Sequence, residues 1–389
     1  MRSFVILVAG LVALVGPASG APAGAPVSPP PSPAPPSLLA TRCRAWAADP
    51  RNPWALAHGM VLDGRAFRTT GGRAAADVVV ADFLHRTPRA SAAAPDLFFD
   101  ASTSDGTPVE PHPALQVKTL LLAGYPLSQR FEAAWGPVTL RELVEDLKRD
   151  FSPALASSPD GAWTLDALSQ VMKPGATFRD GTGATVRFDA VMETALTTLE
   201  TAHAELSAGL KAGRAEVPKR GQGIYAHPCG GLHFFQAVAG WARHPSVRKA
   251  WRKRLDAQVD VLLYRLDSET RQYETALASA PAYRLPLLVQ MLKFHGHLLE
   301  TLGRYRDDTG WKPTEGQLQT VERARTYLEG TVRRLEALGA FNELPAIAAR
   351  ERQLALDLVG DTCHAAHGEA LWSGRSGALS APGASGPRR

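Results

Sequence analysis

Apolar residues recur at intervals of three and four positions through most of residues 39–372, which is the spacing of one face of an α-helix. Strand patterns are scarce by comparison. The exception is ATFRDGTGATVRF at 176–188, where two β-prone runs flank a glycine-rich turn. The pattern predicts an all-α protein with one small β-hairpin. Two of the helical stripes are Leu255, Val259, Leu262 and Leu266, and Leu288, Leu292, His295, Leu299 and Leu302.

Helix starts are marked by proline, which suits the first helical position because the amide hydrogen that it lacks has no partner there. Two further starts carry a capping box, Thr139 with Glu142 and Thr314 with Gln317, in which the two side chains bind each other's exposed amides. These signals predict roughly ten to twelve helices joined by short loops. The proline signals are Asn52-Pro53, His112-Pro113, His227-Pro228, His244-Pro245 and Leu344-Pro345.

Short connections between many helices favour antiparallel neighbours. We expect a multi-helix α/α toroid-like arrangement, in which polar helix starts face a central cavity. The alternative is two packed helical bundles that divide near 210–223. No sequence repeat of fixed period is present, which disfavours a solenoid.

The two ends of the chain differ from this helical body. Residues 1–20 combine Arg2, an apolar run and small residues, the pattern of a signal peptide, and the apolar run is too short for a membrane anchor, which needs about 20 residues. Residues 21–38 are a Pro-rich linker and residues 373–389 a tail predicted to be disordered. We therefore expect a helical domain at 39–372, exported to the periplasm or secreted, with no transmembrane anchor after cleavage.

Charge and motifs narrow the function classes. The formal net charge is +5, and the short basic run RKAWRKR at 248–254 fits a solvated helix face, so no nucleic-acid partner is predicted. The chain lacks the glycine-rich phosphate loop, the dinucleotide-binding glycine pattern and the CxxCH haem motif. ATP, nicotinamide and c-type haem chemistry are therefore not expected.

The stretches HPCGGLHFF and CHAAH each place a histidine four residues after a cysteine, one helical turn away. Cys229 and His233 would supply one pair, and Cys363 and His367 the other. Two thiolates with two imidazoles form a tetrahedral set that zinc prefers. His364 would add a fifth group, and Asp361 would orient one imidazole. The sequence thus predicts a zinc site made of these four residues.

Three alternatives to this zinc site remain open. In an oxidising compartment Cys229 and Cys363 would form a disulfide. Both cysteines can also be buried thiols without a partner. In the third, Cys229 lies in the first turn of a helix, which lowers the pKa of its thiol, and it acts as a nucleophile with His227 or His233 as base.

Other histidines suggest proton transfer in the central cavity. His58 and Asp63 lie in one predicted helix, and together with His233 they are the candidate acid–base residues. His297 would join them there, whereas His295 falls on an apolar stripe and is predicted to be a core residue. Trp54 and Trp163 belong to a set of aromatic residues that can line such a cavity.

The predicted function is a hydrolase or lyase that acts on an envelope or extracellular polymer, a polysaccharide or a peptide, through a Cys/His site in a central cleft. The alternative is a non-catalytic binding or scaffold protein with a structural Cys229–Cys363 disulfide.

Overall fold

The structure, a computed structural model, describes residues 36–88, 95–218, 223–226, 229 and 231–373. The predicted signal peptide, most of the Pro-rich linker, the predicted tail beyond residue 373 and the His227-Pro228 helix start lie outside these residues. The described residues belong to one compact unit that begins at Pro36.

This part of the chain is mostly helical and contains small antiparallel hairpins, so the predicted fold class is confirmed. The toroid-like ring stays a prediction. The described helices are α1 (Leu38–Ala47), α2 (Pro53–Asp63), α3 (Ala75–Phe83), α4 (Leu115–Leu122), α5 (Leu140–Arg149), α6 (Gly161–Val171), α7 (Phe188–Ala202), α8 (Ala204–Lys211), α9 (Leu232–Trp241), α10 (Pro245–Ser279), α11 (Arg284–Thr309), α12 (Glu315–Ala337), α13 (Leu344–Arg350) and α14 (Arg352–Trp372).

The predicted helix starts are largely confirmed. The Asn52 side chain accepts a hydrogen bond from the Ala55 amide ahead of Pro53. Both capping boxes form at the starts of α5 and α12. The His112-Pro113 signal is displaced, because α4 begins two residues after the proline, at Leu115.

Within the described segments, three two-stranded antiparallel sheets lie beside the helices, where the sequence pattern predicted one. The predicted hairpin pairs β5 (Thr177–Arg179) with β6 (Thr185–Arg187). The other two were not predicted because the residues between their strands contain no glycine, whereas the predicted hairpin flanks the glycine-rich turn at 181–183. They are β1 (Leu84–Thr87) with β2 (Asp96–Phe99), and β3 (Arg130–Ala133) with β4 (Gly136–Thr139).

Close packing of α11 on α14 is the feature that positions the site. Glycines permit this approach: a Cβ atom at Gly296 would lie 2.7 Å from the Ala365 Cβ, and one at Gly368 would lie 3.0 Å from the Glu300 amide nitrogen. Larger residues at these positions would force the helices apart. The short separation brings Glu300 of α11 against the histidines of α14.

None of the helices in the described segments combines the length and the apolar character that crossing a bilayer requires.

Candidate functional site

A cavity of about 290 Å³ lies among α2, α4, α6, α9, α11 and α14. Its wall carries an unusual concentration of nitrogen and sulfur donors. They are Cys229 just before α9, His233 on α9, His297 on α11, His58 on α2 and His364 on α14. Such a convergence of polar groups in one pocket is the usual mark of a binding or catalytic site.

Three of these residues form a group that can hold a metal ion. One donor atom each from Cys229, His233 and His297 lie within 4.8 Å of one another. The Cys229 Sγ is 3.7 Å from the His297 Nε2. A thiolate with two imidazoles is a donor set that suits zinc, and three protein ligands leave a fourth tetrahedral position for water or substrate.

Hydrogen bonds set the tautomers of His233 and His297. The His297 Nδ1 lies 2.9 Å from the Lys293 carbonyl oxygen, which can only accept, so Nδ1 carries the hydrogen. The His233 Nδ1 lies 3.0 Å from the Gln236 Oε1, and the same oxygen accepts from Arg304. Each imidazole is therefore fixed with Nε2 as the atom that can bind a metal.

The buried carboxylate of Glu300 contacts several of the residues that surround the donor group. The Nδ1 atoms of His364 and His367 each lie 2.8 Å from one of its oxygens. The Gln236 amide, which orients His233, also donates to Glu300 at 3.3 Å. Burial raises the pKa of the Glu300 carboxyl, but the imidazoles of His364 and His367 lower it by more. The pKa of Glu300 therefore lies well below its usual range. Glu300 therefore acts on the donor group through Gln236, and it fixes the His364 and His367 rings beside that group.

His58 lies beside this cluster with its ring fixed in the same manner. Its Nδ1 donates to the Trp54 carbonyl oxygen at 2.7 Å, and its ring centroid is 5.1 Å from that of His364. The space is tight, since a Cβ at Gly360 would lie 2.7 Å from the Trp54 indole and 3.1 Å from the His58 Nε2. Burial and the charge of His364 lower the pKa of His58 to about 3, so the imidazole is neutral at neutral pH.

Buried charges surround the donors. The Lys293 ammonium lies 3.1 Å from Asp357 and 3.7 Å from Asp361, and all three residues line the cavity. Lys118 lines it from α4, 3.9 Å from the Asp166 carboxylate. Burial lowers the pKa of Lys118. The site therefore offers both positive and negative groups to a bound molecule.

The structure pairs the cysteines differently from the prediction. Cys363 is bonded to Cys43, and both are completely buried between α14 and α1. The Cys229–Cys363 disulfide is therefore wrong, and Cys363 is not available as a metal ligand. Three cysteines allow three pairings, and sequence spacing does not discriminate between them.

Other predicted site residues lie outside the cavity wall. His367 contacts Glu300, so it takes an outer position rather than that of a ligand. Asp63 forms an ion pair with Arg44, with an Nε–Oδ2 distance of 2.6 Å. Of the predicted acid–base residues, the structure brings His58 and His233 to the cavity and leaves Asp63 away from it.

The nucleophilic role considered for Cys229 is not supported. The residue lies in a turn before α9, which begins at Leu232, and not in the first turn of the helix. Burial raises the pKa of its thiol to about 12. A thiol in that state becomes a thiolate when a metal binds it, and without a metal it is a poor nucleophile at neutral pH.

The sequence placed His364 in the site as a fifth group and assigned Glu300 no role, whereas the structure joins the two by a hydrogen bond. The two stretches near 230 and 365 do meet, with the His233 and His364 rings 5.3 Å apart, but through imidazoles rather than sulfurs. A usable signal was present, because Glu300 follows His297 by three residues on the same helix face. The partner helix of that face was not predictable from spacing.

Compared with known proteins, the chain matches no family model, no curated protein and no solved structure.

Proposed function

We propose that the protein is a metal-dependent hydrolase that holds a zinc ion with Cys229, His233 and His297. The observation that carries this proposal is the approach of these three donors within 4.8 Å, with both imidazoles held at Nδ1. Zinc bound by three protein ligands lowers the pKa of a bound water and so supplies a nucleophile at neutral pH.

The remaining groups in the cavity suit the steps that such a reaction needs. His58 and His364 are held at Nδ1, which leaves their Nε2 atoms for hydrogen bonds to a bound water or substrate. Because its low pKa makes His58 a weak base, we assign it the orientation of the water rather than the acid–base role that the sequence suggested.

The cavity volume favours a small substrate. At about 290 Å³ it lies near the lower end of small-molecule sites. A polysaccharide or peptide of the envelope would enter by a chain end rather than along its length. Export stays part of the proposal, and the Cys43–Cys363 disulfide supports it because such bonds persist in oxidising compartments.

Metal analysis tests the site first. We expect purified protein to bind about one zinc per chain, Cys229→Ser to lose it, and Glu300→Gln to bind it about 10- to 100-fold more weakly, as is usual for an outer-shell change. The cobalt-substituted protein should show a thiolate-to-cobalt charge-transfer band that disappears in Cys229→Ser. His295→Gln is the matched control, because His295 lies two residues from a ligand and contacts two threonines instead.

Turnover is tested with chromogenic esters, amides, glycosides and phosphate esters in water labelled with oxygen-18. A hydrolase incorporates the label into product, and the metal-free protein is inactive. A lyase would release product without the label. Zinc retained by Cys229→Ser would refute the metal site, and zinc binding without turnover of any bond class would assign a non-catalytic binding protein.

A further inference from the structure

The ammonium group of Lys118 is only partly neutralised by nearby carboxylates. The residue lies on α4, is 4% exposed and lines the cavity. Among the described residues its one ion pair is with Asp166. The distance from the Lys118 Nζ to the Asp166 Oδ2 is 3.9 Å, which is too long for a hydrogen bond. Asp166 already receives two hydrogen bonds of 3.0 Å from Arg304. The ammonium group of Lys118 thus keeps donors for a molecule in the cavity.

Lys293, the other lysine of the cavity wall, makes a useful contrast. Its ammonium has two carboxylates within 4.0 Å, Asp357 and Asp361, so its charge is satisfied by the protein. A buried charge with incomplete pairing is costly, and a ligand of opposite charge relieves that cost. Of the two cavity lysines, Lys118 is the one placed to recognise an anion.

Aromatic rings form another part of the wall. Trp163 stacks on His112, with ring centroids 4.0 Å apart and an interplanar angle of 14°, and its ring lies 5.1 Å from that of His233. Trp54 lies 4.1 Å from His58. Each indole therefore adjoins an imidazole of the site. Indole faces pack well against flat or apolar groups.

We propose that the cavity recognises a small organic anion, with its carboxylate or phosphate on Lys118 and a ring-sized apolar group against Trp54 and Trp163. The volume of about 290 Å³ equals that of about ten water molecules, enough for one ring with one acidic group. This inference rests on the proposed function, since the bond to be cleaved would lie between the anion site and the metal donors.

Binding to zinc-loaded protein tests the inference with defined probes: benzoate, phenyl phosphate, acetate and neutral benzyl alcohol, followed by calorimetry and tryptophan fluorescence. We expect benzoate or phenyl phosphate to bind at least about tenfold more tightly than acetate and benzyl alcohol, because a charge-assisted hydrogen bond contributes more than a neutral one. The two acids distinguish carboxylate from phosphate recognition.

Variants separate recognition from folding and from the metal. Lys118→Met should lose the advantage of the acids over benzyl alcohol and keep zinc, and Trp163→Leu should lose the advantage of benzoate over acetate. Lys148→Met is the control, because Lys148 pairs with Glu145 on α5 outside the cavity. Circular dichroism checks each fold, and Lys118→Gln replaces the methionine variant if that one does not fold.

Two results would overturn the inference: equal affinity of Lys118→Met and the parent protein for the acids, or acids that bind no better than benzyl alcohol. The metal-free Cys229→Ser protein separates this from the proposed function. If the Cys229→Ser protein still binds the acids, anion recognition is supported even when the proposed zinc-dependent activity fails. If the parent protein binds zinc but not the acids, only the anion inference is refuted.

Discussion

Helix α11 carries two buried histidines, two residues apart, and its two faces use them in different ways. His295 faces α10 and α12, where its ring nitrogens lie 3.0 Å and 3.4 Å from the hydroxyls of Thr270 and Thr331. His297 faces the cavity, with Nδ1 on the Lys293 carbonyl and Nε2 toward Cys229. Both side chains are at most 1% exposed. Burial therefore does not identify a functional histidine. The two differ in what the second nitrogen meets, which is a threonine hydroxyl at His295 and a cysteine sulfur in the cavity at His297.

Removing the cavity histidine should have the largest effect on metal binding. We expect His297→Ala to weaken zinc binding by more than the 10- to 100-fold that outer-shell changes produce, because one of three ligands is lost. Competition with a chromogenic chelator measures this affinity. Zinc affinity equal to that of the parent protein would mean that the two faces of α11 do not differ in function.

Removing the core histidine should instead reduce stability. His295→Ala leaves a cavity and two buried hydroxyls without their partner, so we expect the free energy of unfolding to fall by about 2–4 kcal/mol. Urea titration measures the loss, and zinc stoichiometry should stay unchanged. Loss of zinc together with normal stability would reverse the assigned roles.

His203 is a third buried histidine for this comparison, and it does not line the cavity. Its Nδ1 lies 2.5 Å from the Gln258 Oε1, and Arg265 and Tyr225 are its charged and titratable neighbours. Burial, with the charge of Arg265, lowers its pKa to about 3. The folded state therefore binds fewer protons than the unfolded state between pH 6.5 and 3, and stability falls as the pH drops through that range.

We expect this histidine to contribute about 1.4 kcal/mol of lost stability per pH unit, or about 2 kcal/mol between pH 6.5 and 5. His203→Asn keeps a donor near Gln258 and cannot titrate, so its urea midpoint should fall less with acid than that of the parent protein. Parallel pH profiles for the two proteins would show that His203 is not held neutral.

Asp63 should give the smallest effect, although the sequence suggested an acid–base role for it. Its ion pair with Arg44 is partly exposed, with the arginine side chain 44% accessible. We expect Asp63→Asn to change stability by less than about 1 kcal/mol and to leave zinc affinity unaltered. A marked loss of zinc or of turnover would place Asp63 in the site after all.

Local physics explains which parts of the fold were predictable. Capping boxes, proline starts and apolar stripes act within about a turn of helix, so α2, α5, α10 and α12 were recognisable one by one. The same holds for the core position of His295 and the cavity position of His297. Strands this short carry little pattern of their own, so of the three hairpins in the described residues only the one with a glycine-rich turn was predicted.

Contacts between distant segments were less predictable. Cys43 and Cys363 are separated by 320 positions, and the pairing depends on α1 packing against α14. Likewise, Glu300 reaches His364 and His367 because glycines let α11 and α14 approach closely.

The sequence by itself determined the helical class, several helix boundaries, and Cys229, His233 and His58 as residues worth testing. Only the tertiary structure decided that His297, rather than Cys363 and His367, completes the donor group. It also decided that Cys363 forms its disulfide with Cys43. The physical reason is the distance along the chain over which the interactions act. Helix caps and apolar periodicity depend on residues a few positions away, whereas a metal site depends on which distant helices pack together.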